Sequence, residues 1–314
     1  MRIGLIDVDS HNYPNLPLMK MSAWHKSQGD SVEWYQPLFH NVGDPFDKVY
    51  MSKIFSFTQD FQYGINARSI QKGGSGYCIS LVDGKEVYDK SKDIPLPYEV
   101  EHIYPDYSLY PQYTDDRCYG FLTRGCHRGC EFCIVGTKEG RKSYKVADLD
   151  EFWRGQKKIV LNDPNILGYP GHKDLLQQLI DSRAQVEFNQ GLDVRFINES
   201  NVDMIRKIPM KYIHLAFDKY QEKDVVVPKL KFFKEATGYD HHKVMVYILV
   251  NFDSTFEQDL ERISICRELD LDPFVMVYDK AHADKKYIRL QRWVNNDFVF
   301  WKVPTFDEYL KGGD

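Results

Sequence analysis

From Cys118 onward the sequence repeats one pattern, a short apolar run followed by a segment with helical spacing. The runs are CYGFLT, KIVLN, QVEFNQ, KYIHLAF, VMVYILV and FVMVY. The segments between them are ADLDEFWRGQ, HKDLLQQLIDS, ESNVDMIRKI, PKLKFFKEA and TFEQDLERISICREL. Strands joined through helices pair in parallel by right-handed crossovers. Six such strands predict an open or closed parallel barrel whose site lies at the C-terminal ends of the strands.

The first part of the chain is α/β with looser connections. It reads as a strand over Ile3 to Val8, a polar loop DSHNYPN, and a helix over LMKMSAWHKSQGD that stops at Gly29. Strands follow at SVEWY (Ser31 to Tyr35) and KVYMSKIF (Lys48 to Phe55), and a fourth approaches Gly73, which suggests a small parallel sheet of Rossmann type. The stretch DIPLPYEVEHIYPDYSLYP has no sustained period and reads as an extended linker. The expected fold class is therefore α/β, with a small Rossmann-like parallel lobe over 1–92, a linker over 93–117, and a partial (β/α)6 TIM-like barrel with a C-terminal extension over 118–314.

Hydrophobic residues make up 43% and charged residues 28% of the 314, enough for a substantial core. No apolar run reaches the ~18 residues of a membrane span. The start MRIGLIDVDSHNY carries acids and a histidine where a signal peptide needs its apolar stretch, so the cytoplasm is the expected location, with no membrane partner. A formal net charge of -5 argues against a protein that coats nucleic acid through bulk phosphate contacts, though not against a local grip.

Cys126, Cys130 and Cys133 are clustered, while Cys78, Cys118 and Cys266 are scattered. That is a poor disulfide framework and a plausible metal site in a reducing compartment. The cluster lies in Leu122-Thr-Arg-Gly-Cys126-His-Arg-Gly-Cys130-Glu-Phe-Cys133-Ile-Val-Gly136, directly after the first barrel strand, with CxxxCxxC spacing. Three thiolates on a short glycine-containing loop can wrap one face of a cubane and leave one iron without a protein ligand; clusters used only for electron transfer usually take four cysteines. The alternative is a structural zinc site completed by Cys118 or His127. Such sites more often pair two Cys-x-x-Cys knuckles, and this sequence has no second one. The scattered cysteines read as buried thiols.

CxxxCxxC after the first strand of a partial barrel, with Phe132 just before the last cysteine, resembles the radical S-adenosylmethionine (SAM) superfamily over roughly Cys118 to Tyr278. The resemblance implies that Cys126, Cys130 and Cys133 hold a [4Fe-4S] cluster whose open iron chelates the amino and carboxylate groups of SAM. It implies reductive cleavage of SAM to a 5'-deoxyadenosyl radical that removes a hydrogen atom from substrate, with Phe132 packed beside adenine. For the remaining SAM contacts the strand ends offer Asp163 and Asn165, in Asn162-Asp163-Pro164-Asn165, and Gln190 and Arg195, in FNQGLDVRF. The first segment departs from the Gly-Gly-Glu pattern common in the family and reads equally as a turn that needs no ligand. Arg195 could meet the SAM carboxylate as a planar fork, or simply pair with Asp193. Asp218 and Tyr220, after the fourth strand, are the candidates for catalysis on the substrate side; Asn251 and Asp253 follow the fifth, where a helix cap is the alternative.

A Rossmann-like lobe ahead of such a barrel resembles the cobalamin-binding members of the superfamily. Asp9-Ser-His11-Asn-Tyr-Pro14 is similar to their Asp-x-His-x-x-Gly loop, and Gly73-Gly74 sits where a nucleotide tail could pass. Pro14 replaces the glycine, which fixes φ and removes a donor. This favours a lobe that covers the barrel or recognises substrate over one that binds cobalamin and supports methylation. The tyrosines of the linker, with Arg117, Arg124, Arg128 and Arg141 nearby, suit bases or a peptide, or an ordered lobe connection. The expected function is modification of an unidentified substrate (small molecule, peptide or RNA), with a reducing partner such as flavodoxin or ferredoxin. From a different class, the rival is a non-catalytic iron-sulfur or zinc module that orders a binding surface.

Overall fold

The computed structural model describes residues 1–82 and 85–312, and the chain forms two compact units, Met1–Val160 and Leu161–Asp314. The first unit is built on a four-stranded parallel sheet in the order β2-β1-β3-β4, with β1 Arg2–Asp7, β2 Ser31–Trp34, β3 Lys48–Ser52 and β4 Ile70–Gly73. Strand β3 stops at Ser52, short of the expected Phe55. The reason is Asp9, whose carboxylate accepts the N–H groups of Ile54 at 2.7 Å and Phe55 at 2.9 Å and so withdraws them from the ladder. Between β1 and β2 runs α1, Leu16–Ser27, with Pro17 in its first turn and the side chain of Asn15 accepting the Leu18 N–H. Its Leu18 and Met21 pack on Ile3, Leu5 and Tyr50.

The stretch read as a linker is an ordered layer of this unit. Val100 joins the core cluster of Ile3 and Leu5. Asp106 accepts from Ser22 and Lys26, both at 2.6 Å, and the Tyr110 hydroxyl donates to Asp7 at 2.5 Å. Tyrosine suits this work because its ring buries while its hydroxyl finds a partner.

An antiparallel hairpin, β5 Ile79–Val82 and β6 Lys85–Tyr88, precedes that stretch. Then come β7 Arg117–Gly120, β8 Thr123–Arg124, the short helix α2 Val135–Lys138, β9 Tyr144–Lys145 and β10 Lys158–Leu161, with β8 and β9 paired antiparallel. The helix expected over ADLDEFWRGQ is absent; only a 3-10 turn, Leu149–Glu151, forms there. Gly155 takes φ +93°, and the Trp153 indole donates to the Gln156 carbonyl at 2.9 Å, so the chain turns where a helix would continue.

The second unit alternates helix and strand as the sequence predicts: α3 His172–Ser182, β11 Gln185–Phe188, α4 Val202–Lys207, β12 Ile213–Ala216, α5 Lys223–Thr237, β13 Val244–Val250, α6 Phe256–Glu268, β14 Asp272–Val277 and α7 Lys285–Val294. Strands β12, β13 and β14 pair in parallel, and Leu192, beyond β11, bridges in parallel to Leu215 of β12. The architecture is α/β with parallel sheets. Helix α5 starts at Lys223, ahead of the expected Pro228, which lies inside it. A proline this near the N-terminus forfeits a single helical bond, the one to the Asp224 carbonyl. Among the described residues no helix is long and apolar enough to cross a membrane.

Candidate functional site

The cysteine loop leaves β8 and returns through α2 to β9, all within the first unit. Three left-handed glycines bend it, Gly125 at φ +75°, Gly129 at φ +60° and Gly140 at φ +99°. A Cβ on Gly125 would stand 2.2 Å from the Lys142 carbonyl oxygen, so only glycine fits. The Cys126 N–H donates to the Gly140 carbonyl at 3.2 Å and the Cys133 N–H to the Cys130 carbonyl at 3.0 Å; the second bond turns the chain through Phe132.

Burial divides the six cysteines as their spacing does. Cys126, Cys130, Cys133 and the intervening Phe132 are half-buried, while Cys78, Cys118 and Cys266 are buried. Burial pushes the Cys118 and Cys266 thiols up to about 12 and raises that of Cys78 as well, which keeps all three neutral. Thiolate, the form that binds metal, is thus disfavoured at those three. Among the described residues no three His, Cys, Asp or Glu side chains are arranged to hold one metal ion. A cubane makes no such demand, because each of its thiolates takes a different iron. Three half-exposed thiols on a glycine-bent loop fit such a cluster.

The second unit brings several of the expected residues together at its strand ends. Asp163 and Asn165 are each 3% exposed. Asn165 accepts the Gly168 N–H at 3.1 Å and donates to Asp193 at 3.2 Å, while Asn189 donates to Asn162 at 3.0 Å. Arg195 meets Asp193 through two N–H groups, one at 2.7 Å, and reaches Glu222 at 3.0 Å with its remaining Nη. Asn165, Asp193 and Arg195 therefore form one network that Glu222 extends, while Gln190 lies in an exposed turn. One guanidinium thus lies between two carboxylates, which occupy its side-chain N–H groups.

After β12, the Tyr220 hydroxyl donates to Glu261 at 2.7 Å, and Glu261 also holds Lys223. The bond to Glu261 raises the Tyr220 phenol above its ordinary range, so Tyr220 stays protonated. The main-chain carbonyl of Asp218 accepts from Arg262 at 2.5 Å. Asn251, at φ +63°, donates to the Tyr278 carbonyl at 2.9 Å, and Thr255 caps α6 by accepting the Gln258 N–H. In the first unit, Asp9 is taken up by backbone amides, His11 is exposed, and Gly74 takes φ +98° with the Lys53 carbonyl 2.4 Å from where its Cβ would stand.

Glu222 and Arg262 escaped sequence reasoning. Glu222 carries no local signal, since its partner lies in another segment. Arg262 carries one: with Asp259 it occupies the same buried stripe of α6 as Ile263 and Cys266, and a charged pair at core positions marks a buried network.

No protein-family model and no curated protein matches this chain. Among solved structures it is similar to SuiB of Streptococcus suis, at 15% identity over 60% of this chain and 47% of that one, with a TM-score of 0.45. SuiB bound to S-adenosylmethionine matches at 15% identity over 62% and 51%, with a TM-score of 0.46. SuiB bound to precursor peptide SuiA matches at 14% over 69% and 55%, also with a TM-score of 0.46. The chain spans about half the length of these structures.

Proposed function

We propose that this protein is a radical SAM enzyme that cleaves S-adenosylmethionine reductively and abstracts hydrogen from a substrate. The observation that carries the reading is the sorting of the cysteines: three half-exposed thiols in CxxxCxxC spacing on a glycine-bent loop, and three buried thiols that burial keeps neutral. When bound, a [4Fe-4S] cluster supplies an electron and an open coordination position for SAM.

In this reading Cys126, Cys130 and Cys133 are the ligands and Phe132 packs on adenine. Asp163, Asn165 and Gln190 contact the polar groups of SAM. Asp193 and Glu222 orient Arg195. Asp218 and Tyr220 act on the substrate side, Tyr220 as a protonated donor. The engagement of Asp9 by backbone amides favours a lobe that works without cobalamin.

The test is anaerobic reconstitution followed by electron paramagnetic resonance with and without SAM, and chromatography for 5'-deoxyadenosine. A [4Fe-4S] signal that SAM perturbs and that Cys130→Ala abolishes, accompanied by 5'-deoxyadenosine, is the expected result. A protein that takes zinc and no iron overturns the reading and leaves the zinc module in its place.

A further inference from the structure

The neck of the cysteine loop is closed by contacts that need no metal. Glu139, the residue after α2, accepts from Arg124 Nη1 at 2.8 Å with one carboxylate oxygen and from the Gly125 N–H at 3.0 Å with the other. One side chain on the outgoing limb thus grips two consecutive residues on the ingoing limb, immediately before Cys126. The grip is sheltered, with Glu139 15% and Arg124 30% exposed, and the Arg124 guanidinium lies 3.5 Å from the centre of the Phe121 ring. Two further contacts complete the closure: the Cys126 N–H donates to the Gly140 carbonyl, and the Ser143 hydroxyl donates to the Gly125 carbonyl at 3.2 Å. Lys138, the last residue of α2, donates to the Ser75 hydroxyl beyond Gly74 and fixes the outgoing limb from its other side.

An open loop must be ordered when it binds its ligand, at an entropic cost for each residue fixed. A loop whose limbs are already joined avoids part of that cost. We propose that Glu139 is a positioning residue: through Arg124 and Gly125 it clasps the loop so that Cys126, Cys130 and Cys133 are arrayed before the cluster arrives. This rests on the cluster reading above. The clasp also has an electrostatic role. With Glu139 present the Arg124 charge is matched; without it an unmatched cation two residues before Cys126 would favour an added electron on a cluster held by the three cysteines.

The experiment compares the full-length wild type with Glu139→Gln, Glu139→Ala, Arg124→Gln and the double variant Arg124→Gln/Glu139→Ala. Circular dichroism and thermal unfolding of each apo-protein are followed by the rate of cluster formation at limiting iron and sulfide, and by the reduction potential of the loaded cluster. Glu139→Ala is expected to fold and to load about 10-fold more slowly, the lower end for outer-shell partners of metal ligands. Glu139→Gln, which keeps one acceptor, should fall between it and wild type, with a more positive potential. The double variant should load no more slowly than Glu139→Ala, because both changes break the same contact. Wild-type loading and potential in both Glu139 variants overturns the clasp alone. If Glu139→Ala does not fold, the Glu139→Gln rate and potential decide in the same way. A wild-type chain that takes up no iron overturns the cluster reading and the clasp with it.

Discussion

Arg262 and Asp259 form an ion pair on α6 in which neither side chain has any solvent exposure, with 2.5 Å between Nη2 and Oδ1. The same guanidinium donates to the carbonyls of Phe217 at 2.8 Å, Asp218 at 2.5 Å and Leu249 at 2.8 Å, and to Ser254 at 3.0 Å. These carbonyls lie at the C-terminal ends of β12 and β13, so a buried charge on a helix fixes the strand ends that carry Asp218 and Asn251. Arg262→Ala strands Asp259 and should cost about 3–5 kcal/mol in denaturant unfolding. Asp259→Leu/Arg262→Met removes both charges but orphans the carbonyls, and should remain destabilised by about 1–3 kcal/mol for each one left unpaired. Full recovery in the double variant would show that the carbonyl bonds contribute nothing.

The cysteines should separate by reactivity. Brief alkylation of the reduced apo-protein at mildly alkaline pH is expected to label Cys126, Cys130 and Cys133 and to spare Cys118 and Cys266, whose thiols burial has pushed up to about 12. Peptide mass spectrometry reads the result. Labelling of Cys118 at the rate of Cys130 would contradict the sorting on which the function rests.

Asp272, 5% exposed at the start of β14, is raised from 3.8 to about 6, first by burial and next by the nearby charge of Asp297; the Trp301 indole and His241 oppose the shift. The folded chain therefore holds a proton there that the unfolded chain has released, and stability falls as pH rises from about 4 to about 6. Asp272→Asn, which keeps an acceptor for Trp301, should remove that slope and stabilise the protein at neutral pH by about 3 kcal/mol. Unfolding midpoints across the acid range test this; an unchanged slope in the variant would place the proton elsewhere.

Gly120, at the end of β7, lies against the face of Phe152, with the ring 2.5 Å from where a Cβ would stand. Gly120→Ala should cost about 1–3 kcal/mol by overpacking. Adding Phe152→Leu should recover part of the loss if the clash with the ring is its cause. A thermal shift for each chain decides, and a tolerated Gly120→Ala would mean that Phe152 moves freely.

The sequence by itself determined what depends on neighbours along the chain. Apolar runs alternating with helical segments dictated parallel α/β structure, because strands joined through helices are forced into parallel pairing. Three cysteines stood apart from three others because spacing is a local property. Only the tertiary structure decided what depends on partners far away in sequence. Asp9 ends β3 by capturing amides some forty-five residues on, at Ile54 and Phe55. Gly155 and the Trp153 indole replace a helix whose composition suited one. Arg195 acquires Glu222, and Glu139 closes on Arg124 and Gly125 around the cysteines. A carboxylate carries no mark of which cation or amide it will meet; that choice belongs to the packing that brings the two segments together.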